Sequence, residues 1–150
     1  MPRRTVSILI PALGLAVAVG CASNAPSTAG LAAWDQARVT ELGGQLSAAA
    51  DAWQLAVRQE NDDRLGSGSA GEGFRLTEKA QLVSEQARSL AGHLKAGEGR
   101  DQTYNPFRSL KEQVDDAEVD QARSELDQPT IAAWAKVTTL MGQIKPYYER

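Results

Sequence analysis

The residues of this chain that could carry chemistry are few and widely spaced. Its 150 residues hold one histidine, His93, and one cysteine, Cys21. Nucleophilic catalysis needs a base positioned beside the nucleophile, and one histidine with one cysteine is a thin basis for it. Carboxylates are denser: in "EQVDDAEVDQ", Glu112, Asp116 and Asp120 recur every fourth residue, with Asp115 and Glu118 alongside. On a helix that spacing places them on one face, where they could hold a divalent cation or meet a basic partner. The glycine and alternating ligand order of a calcium loop are absent, so the run reads as a solvated helix face. His93 and Met141 supply a nitrogen and a sulfur of the kind that ligate haem iron, each about one turn from the end of a periodic segment. The simpler reading is a surface histidine and a core methionine. Phosphate loops, dinucleotide-binding glycine patterns, zinc spacings and paired Glu-x-x-His motifs are all missing. These absences point away from an enzyme and imply no cofactor.

The position of the cysteine carries more information. Arg3 and Arg4 form a positive start, and Val6 to Val19 form an apolar run broken by Pro11 and Gly14. Ala18, Val19 and Gly20 then lead into Cys21. A run this short falls below the ~20 apolar residues that span a bilayer and has the layout of an export signal. The stretch Ala18-Val19-Gly20-Cys21 resembles the lipobox of bacterial lipoproteins, departing from the commonest pattern only in having alanine at position 18. The resemblance implies cleavage before Cys21, a diacylglycerol on its thiol and an acylated new N-terminus. Residues 1–20 are then a signal peptide, and 21–30, "CASNAPSTAG", are the lipidated cysteine and a small-residue tether. Two or three acyl chains anchor firmly where one anchors only marginally. Ala22 and Ser23 after the cysteine, in place of aspartate, resemble the pattern of outer-membrane cargo and imply an anchored protein facing the periplasm. A lone cysteine also excludes an internal disulfide. Loss of Arg3 and Arg4 takes the 16 basic residues to 14, against 19 acidic, leaving a net charge of −5. That sign argues against nucleic acid as a partner.

The elements that must position these residues follow from residue 31 onward. Val39, Leu42, Leu46, Ala49, Trp53 and Val57 recur at three- and four-residue steps, which predicts a helix over about 31–59. Gly43-Gly44 leaves open whether it is one long helix or two short ones, and suggests a kink or a close helix crossing. "NDDRLGSGSAGEG", residues 61–73, reads as a surface loop. A second helix over about 74–96 carries Leu76, Ala80, Val83, Ala87, Leu90 and Leu94, the most regular stripe in the chain, and Gly97 suits its C-terminal cap. Asn105-Pro106 predicts the start of a third helix over 105–126 with Phe107, Leu110, Val114, Ala117 and Leu126 inward. Asp127 or Gln128 before Pro129 repeats that signal for a fourth over 129–145, with Ile131, Trp134, Val137, Leu140, Met141 and Ile144 inward until Pro146. No segment alternates with period two, so no sheet is expected.

Four amphipathic helices with short connections predict an all-α, four-helix up-down-up-down bundle over residues 31–150, monomeric or homodimeric; two hairpins that dimerise are the alternative. In size and helix count the chain is similar to periplasmic four-helix-bundle cytochromes, which implies a haem- or metal-binding bundle as the rival function. Their haem-attachment motif is missing, and their histidine lies in the last helix. Murein-linked lipoproteins end in lysine, whereas this chain ends "KPYYER"; Tyr147 and Tyr148 there are placed to cap the bundle or to meet a partner. The reading that results is a lipid-anchored envelope lipoprotein, non-enzymatic, with a binding or structural accessory role and an envelope protein as its partner.

Overall fold

The computed structural model describes residues 30–67 and 73–149, and the side chains of 30–64 and 75–149. The signal peptide, Cys21 and the tether as far as residue 29 lie outside the described residues. Four helices follow one another: α1 Gln36–Ser67, α2 Gly73–Lys95, α3 Arg100–Gln121 and α4 Gln128–Ile144, with a closing 3-10 turn at Lys145–Tyr147. No strand occurs among the described residues. α1 packs along both α2 and α4, and α2 also along α3, while α3 and α4 do not approach each other along their length. All four contribute to one core within a single chain, so the fold is an all-α four-helix bundle.

The spacing of the helices follows from the sizes of their stripe residues. Where α1 meets α2, Gly43, Ala50, Ala80 and Ala87 are small and buried, and the backbones close in. A Cβ on Gly43 would lie 2.7 Å from Leu94 Cδ1 and 3.7 Å from Ala91 Cα. Gly43 therefore marks a close crossing, and α1 runs through Gly43-Gly44 as one helix. Phe107, Trp134, Met141 and Tyr148 are bulkier members of the same core, and Tyr148 stacks on Phe107 of α3. Trp53 and Phe107 are fully buried, and Trp53 meets Trp134 with ring centroids 4.5 Å apart.

Every apolar position expected inward on α1 and α2 is buried. The boundaries differ in ways that local chemistry explains. α1 starts at Gln36 and not at Leu31, because Asp35 caps it: its Oδ1 accepts from Arg38 N at 3.0 Å. It continues past Gln59 through residues 61–67, read in sequence as loop, with Glu60 and Arg64 pairing one turn apart at 2.6 Å. α3 begins at Arg100, five residues before the expected Asn105. Gly99 is its N-cap residue, and Gln102 reaches back so that its Oε1 accepts from Gly99 N at 2.9 Å. Pro106 consequently sits inside the helix rather than at its start, and the helix ends at Gln121. Leu126 lies beyond it in the connection, half-buried against the core. On α4, Ile131 was expected inward but is 41% exposed, and Thr130 occupies the buried position instead. α4 ends at Ile144, ahead of Pro146 as expected, and Pro146 sits within the 3-10 turn that follows.

Two caps match expectation. Gly97 adopts φ +84, and the bonds from Glu98 N to His93 O and from Gly97 N to Leu94 O close a Schellman end on α2. Asp127 caps α4, its Oδ1 accepting from Thr130 N at 2.9 Å, with Pro129 in the first turn.

Candidate functional site

The chain enters the bundle at the end where α1 begins, α2 ends, α3 begins and α4 closes in its 3-10 turn. Residues 30–35 are not helical, and their backbone is tied down at one point: Ala32 N donates to Pro146 O at 2.7 Å, and Ala32 O accepts from Arg100 Nη2 at 2.6 Å. Arg100 also lies over the Trp34 ring, 5.6 Å from its centroid. Trp34 meets both Tyr147 and Tyr148 edge to face, at 6.4 and 5.5 Å, and donates through Nε1 to Gln36 Oε1 at 3.0 Å. Tyr148 stacks on Phe107 at 4.2 Å, and its hydroxyl lies 2.8 Å from Thr103 Oγ1. The threonine's one proton goes to Gly99 O at 2.9 Å, which makes the tyrosine the donor. Burial pushes the Tyr148 phenol above its usual pKa, against the opposing pull of the Arg100 charge.

Tyr148 thus caps the core, one of the two roles the sequence suggested for the tyrosine pair. The cluster clamps residues 32–34 against this end of the bundle. Trp34, Arg100 and Thr103 were not singled out in sequence. Trp34 stands outside every helical stripe, and the match of Thr103 to Tyr148 spans 45 residues.

The other sequence candidates lie apart from one another. His93 is on the surface, its Nδ1 2.9 Å from both carboxylate oxygens of Glu98, while Met141 is buried in the core on α4. Glu112 pairs with Arg108 at 3.7 Å and Asp116 with Lys79 at 3.0 Å, and Asp115 pairs with Lys111; Asp120 is half-buried near the end of α3. Cations thus interleave the carboxylate run. Among the described residues, no three His, Cys, Asp or Glu side chains are gathered as a metal site.

Cavities flank α1 at its far end, where one of about 440 Å³ is edged by Glu60, Asp63, Arg64, Glu125 and Asp127, and along its middle. At the far end of the bundle, Glu60 is 8% exposed; its Oε1 accepts from Arg64 Nη2 at 2.6 Å and from Asp127 N at 3.1 Å, whereas its buried Oε2 has no partner. A smaller cavity beside it, between Leu76, Ser124 and Leu126, is about 10 Å³, the size of one water molecule and too small for an organic ligand. Along the middle lies an open groove of about 640 Å³ between α1 and α4, floored by alanines, with Lys136 at its edge.

Comparison with known protein families, with curated proteins and with solved structures finds no match to this chain.

Proposed function

We propose that this chain is a lipid-anchored cell-envelope protein whose helical bundle has a non-enzymatic binding or structural accessory role at the periplasmic face of the outer membrane. The observation that carries the reading is the lone Cys21 directly behind Ala18-Val19-Gly20 and the apolar run Val6 to Val19. The fold supports it in two ways. No described helix is long and apolar enough to cross a membrane, which is compatible with an N-terminal lipid anchor. The aromatic clamp on residues 32–34 gives the tether a fixed exit from the bundle.

The accessory role rests on what the side chains do. His93, Glu112, Asp115 and Asp116 are engaged in surface pairs, and the groove between α1 and α4 is apolar, without a convergent set of polar groups. In a bacterial host that exports and lipidates proteins, metabolic labelling with an alkyne fatty acid tests the anchor. The intact chain takes up label and fractionates with membranes, and Cys21→Ser does neither. Equal labelling of both forms would refute the reading.

A further inference from the structure

The outer surface of the bundle divides by charge. Along α2 and α3, exposed Arg75, Glu78, Glu85, Arg88, Arg108 and Glu112 make a dense mixed-charge face. The face formed by α1 and α4 differs: from Gln45 to Leu55 on α1 and from Gln128 to Thr139 on α4, its outward positions are uncharged apart from Lys136. Ala48, Ala52, Ala132 and Ala135 are exposed there, and Leu55, at 57%, is the most exposed large apolar side chain among the described residues.

The register across this face is set by two contacts, the Trp53–Trp134 ring pair and the bond from Asp127 N to Glu60. Counting antiparallel from them places Leu55 level with Ala132, Ala52 with Ala135 and Ala48 with Thr139. Several large or charged groups on one helix therefore stand at the height of a complementary group on the other, whereas Lys136 is level with Asp51, which Ser84 and Arg88 of α2 engage. Leu55 is level with the bare surface at Ala132, exposed Glu41 is within one residue of level with exposed Lys145, and exposed Arg58 lies within two of Asp127. A face whose halves complement each other at equal height meets a copy of itself about a two-fold axis parallel to the helices, α1 of each copy against α4 of the other.

We propose that this face is where a second copy of the chain docks, side by side and pointing the same way. The orientation rests on the reading of the chain as lipid-anchored. α1 has 32 residues and is about 48 Å long. Residues 21–29 reach at most about 30 Å, so copies packed head to tail would leave one anchor short of the membrane that holds the other. The parallel pair places both Cys21 anchors on one side, and in it Leu55 enters the hollow at Ala132 and Ala135 twice.

The test uses the full chain in a host that exports and lipidates it. Differently tagged Leu55→Cys and Ala132→Cys copies are co-expressed, oxidised and read on a non-reducing gel, and the mass of acylated Cys21 is measured on the same sample. The expected product is a 55–132 cross-link joining the two tags. Ala52→Glu, exposed and so compatible with folding, lowers its yield about tenfold or more by burying an unpaired charge, with the helical circular dichroism unchanged. Cross-links mainly between two Leu55→Cys copies, or acylated protein that stays monomeric, overturn the docking and leave the anchor standing. Unacylated protein overturns the anchor, and the cross-link pattern then judges the docking by itself. An Ala52→Glu form that cross-links as well as its parent also overturns the docking.

Discussion

Adjacent glycines in one helix make a matched experiment on the closest contact in the fold. Replacing a glycine in an exposed helix interior by alanine gains about 1 kcal/mol from backbone entropy and propensity. Gly44 has nothing within 4 Å of the position its Cβ would take, so Gly44→Ala realises that gain, and the melting temperature rises by several degrees. At Gly43 the same methyl would stand 2.7 Å from Leu94 Cδ1. Leu94 is 1% exposed and can move only by displacing its packed neighbours, and overpacking of this kind costs about 1–3 kcal/mol. Gly43→Ala is therefore neutral to destabilising by about 2 kcal/mol, and the two variants differ by at least ~1 kcal/mol. Urea unfolding followed by circular dichroism reads the difference. In a Leu94→Ala background the obstacle is gone, and Gly43→Ala recovers its propensity gain, a coupling that a double-mutant cycle detects. Equal stabilisation by both alanines, with no coupling to Leu94, would show that α1 and α2 do not meet closely at this point.

Other positions yield further expectations. Trp53→Ala removes a fully buried indole and costs about 3–5 kcal/mol, whereas Trp53→Phe costs clearly less because it also removes an indole N–H that has no partner; thermal melts compare the two. Tyr148→Phe keeps the stacking on Phe107 and gives up the bond to Thr103, a loss of about 1 kcal/mol in urea unfolding. Because burial raises the Tyr148 pKa in the fold, its contribution is full below the unfolded value near 10 and is lost as pH rises through the native one, an alkaline limb that Tyr148→Phe lacks. Asp127 behaves oppositely. The Thr130 N–H lowers its pKa, so its contribution is present above about 3.9 and fades as pH falls through the native value; Asp127→Ala flattens that acid limb in melts taken from pH 6 downward.

The stripes of α1 and α2 were legible because buried positions on a helix repeat at a period that the residues themselves display, and the Gly97 and Asp127 caps because their chemistry is local. What was hidden depended on partners distant in sequence or on competing local signals. Asn105-Pro106 has the composition of a helix start, but Gln102 caps Gly99 five residues earlier and the bundle tolerates the proline inside. Residues 61–67 look like loop by composition, yet the Glu60–Arg64 pair and the bond from Asp127 N to Glu60 support the turn leading into them. Ile131 fits the period of α4 but faces solvent, and the Thr130 backbone, drawn in by Asp127, takes the inner place. The clamp around Trp34 and the bonds from Gln36 and Thr40 to Leu94 O arise only once α1 and α2 are side by side, and no spacing rule announces them. Of the site candidates, Cys21 rests on a local motif, whereas the carboxylate run and the His93–Met141 pair drew their interest from spacing and helix order; the fold keeps the run on α3 with cations paired to it, and puts His93 at the surface and Met141 in the core.

The most direct test of the central claim is the intact mass of the chain recovered from bacterial membranes. The account predicts a species that begins at Cys21, ends at Arg150 and carries a diacylglyceryl group with or without an added acyl chain. A full-length chain from Met1, or one cleaved elsewhere with Cys21 bearing no lipid, would contradict it.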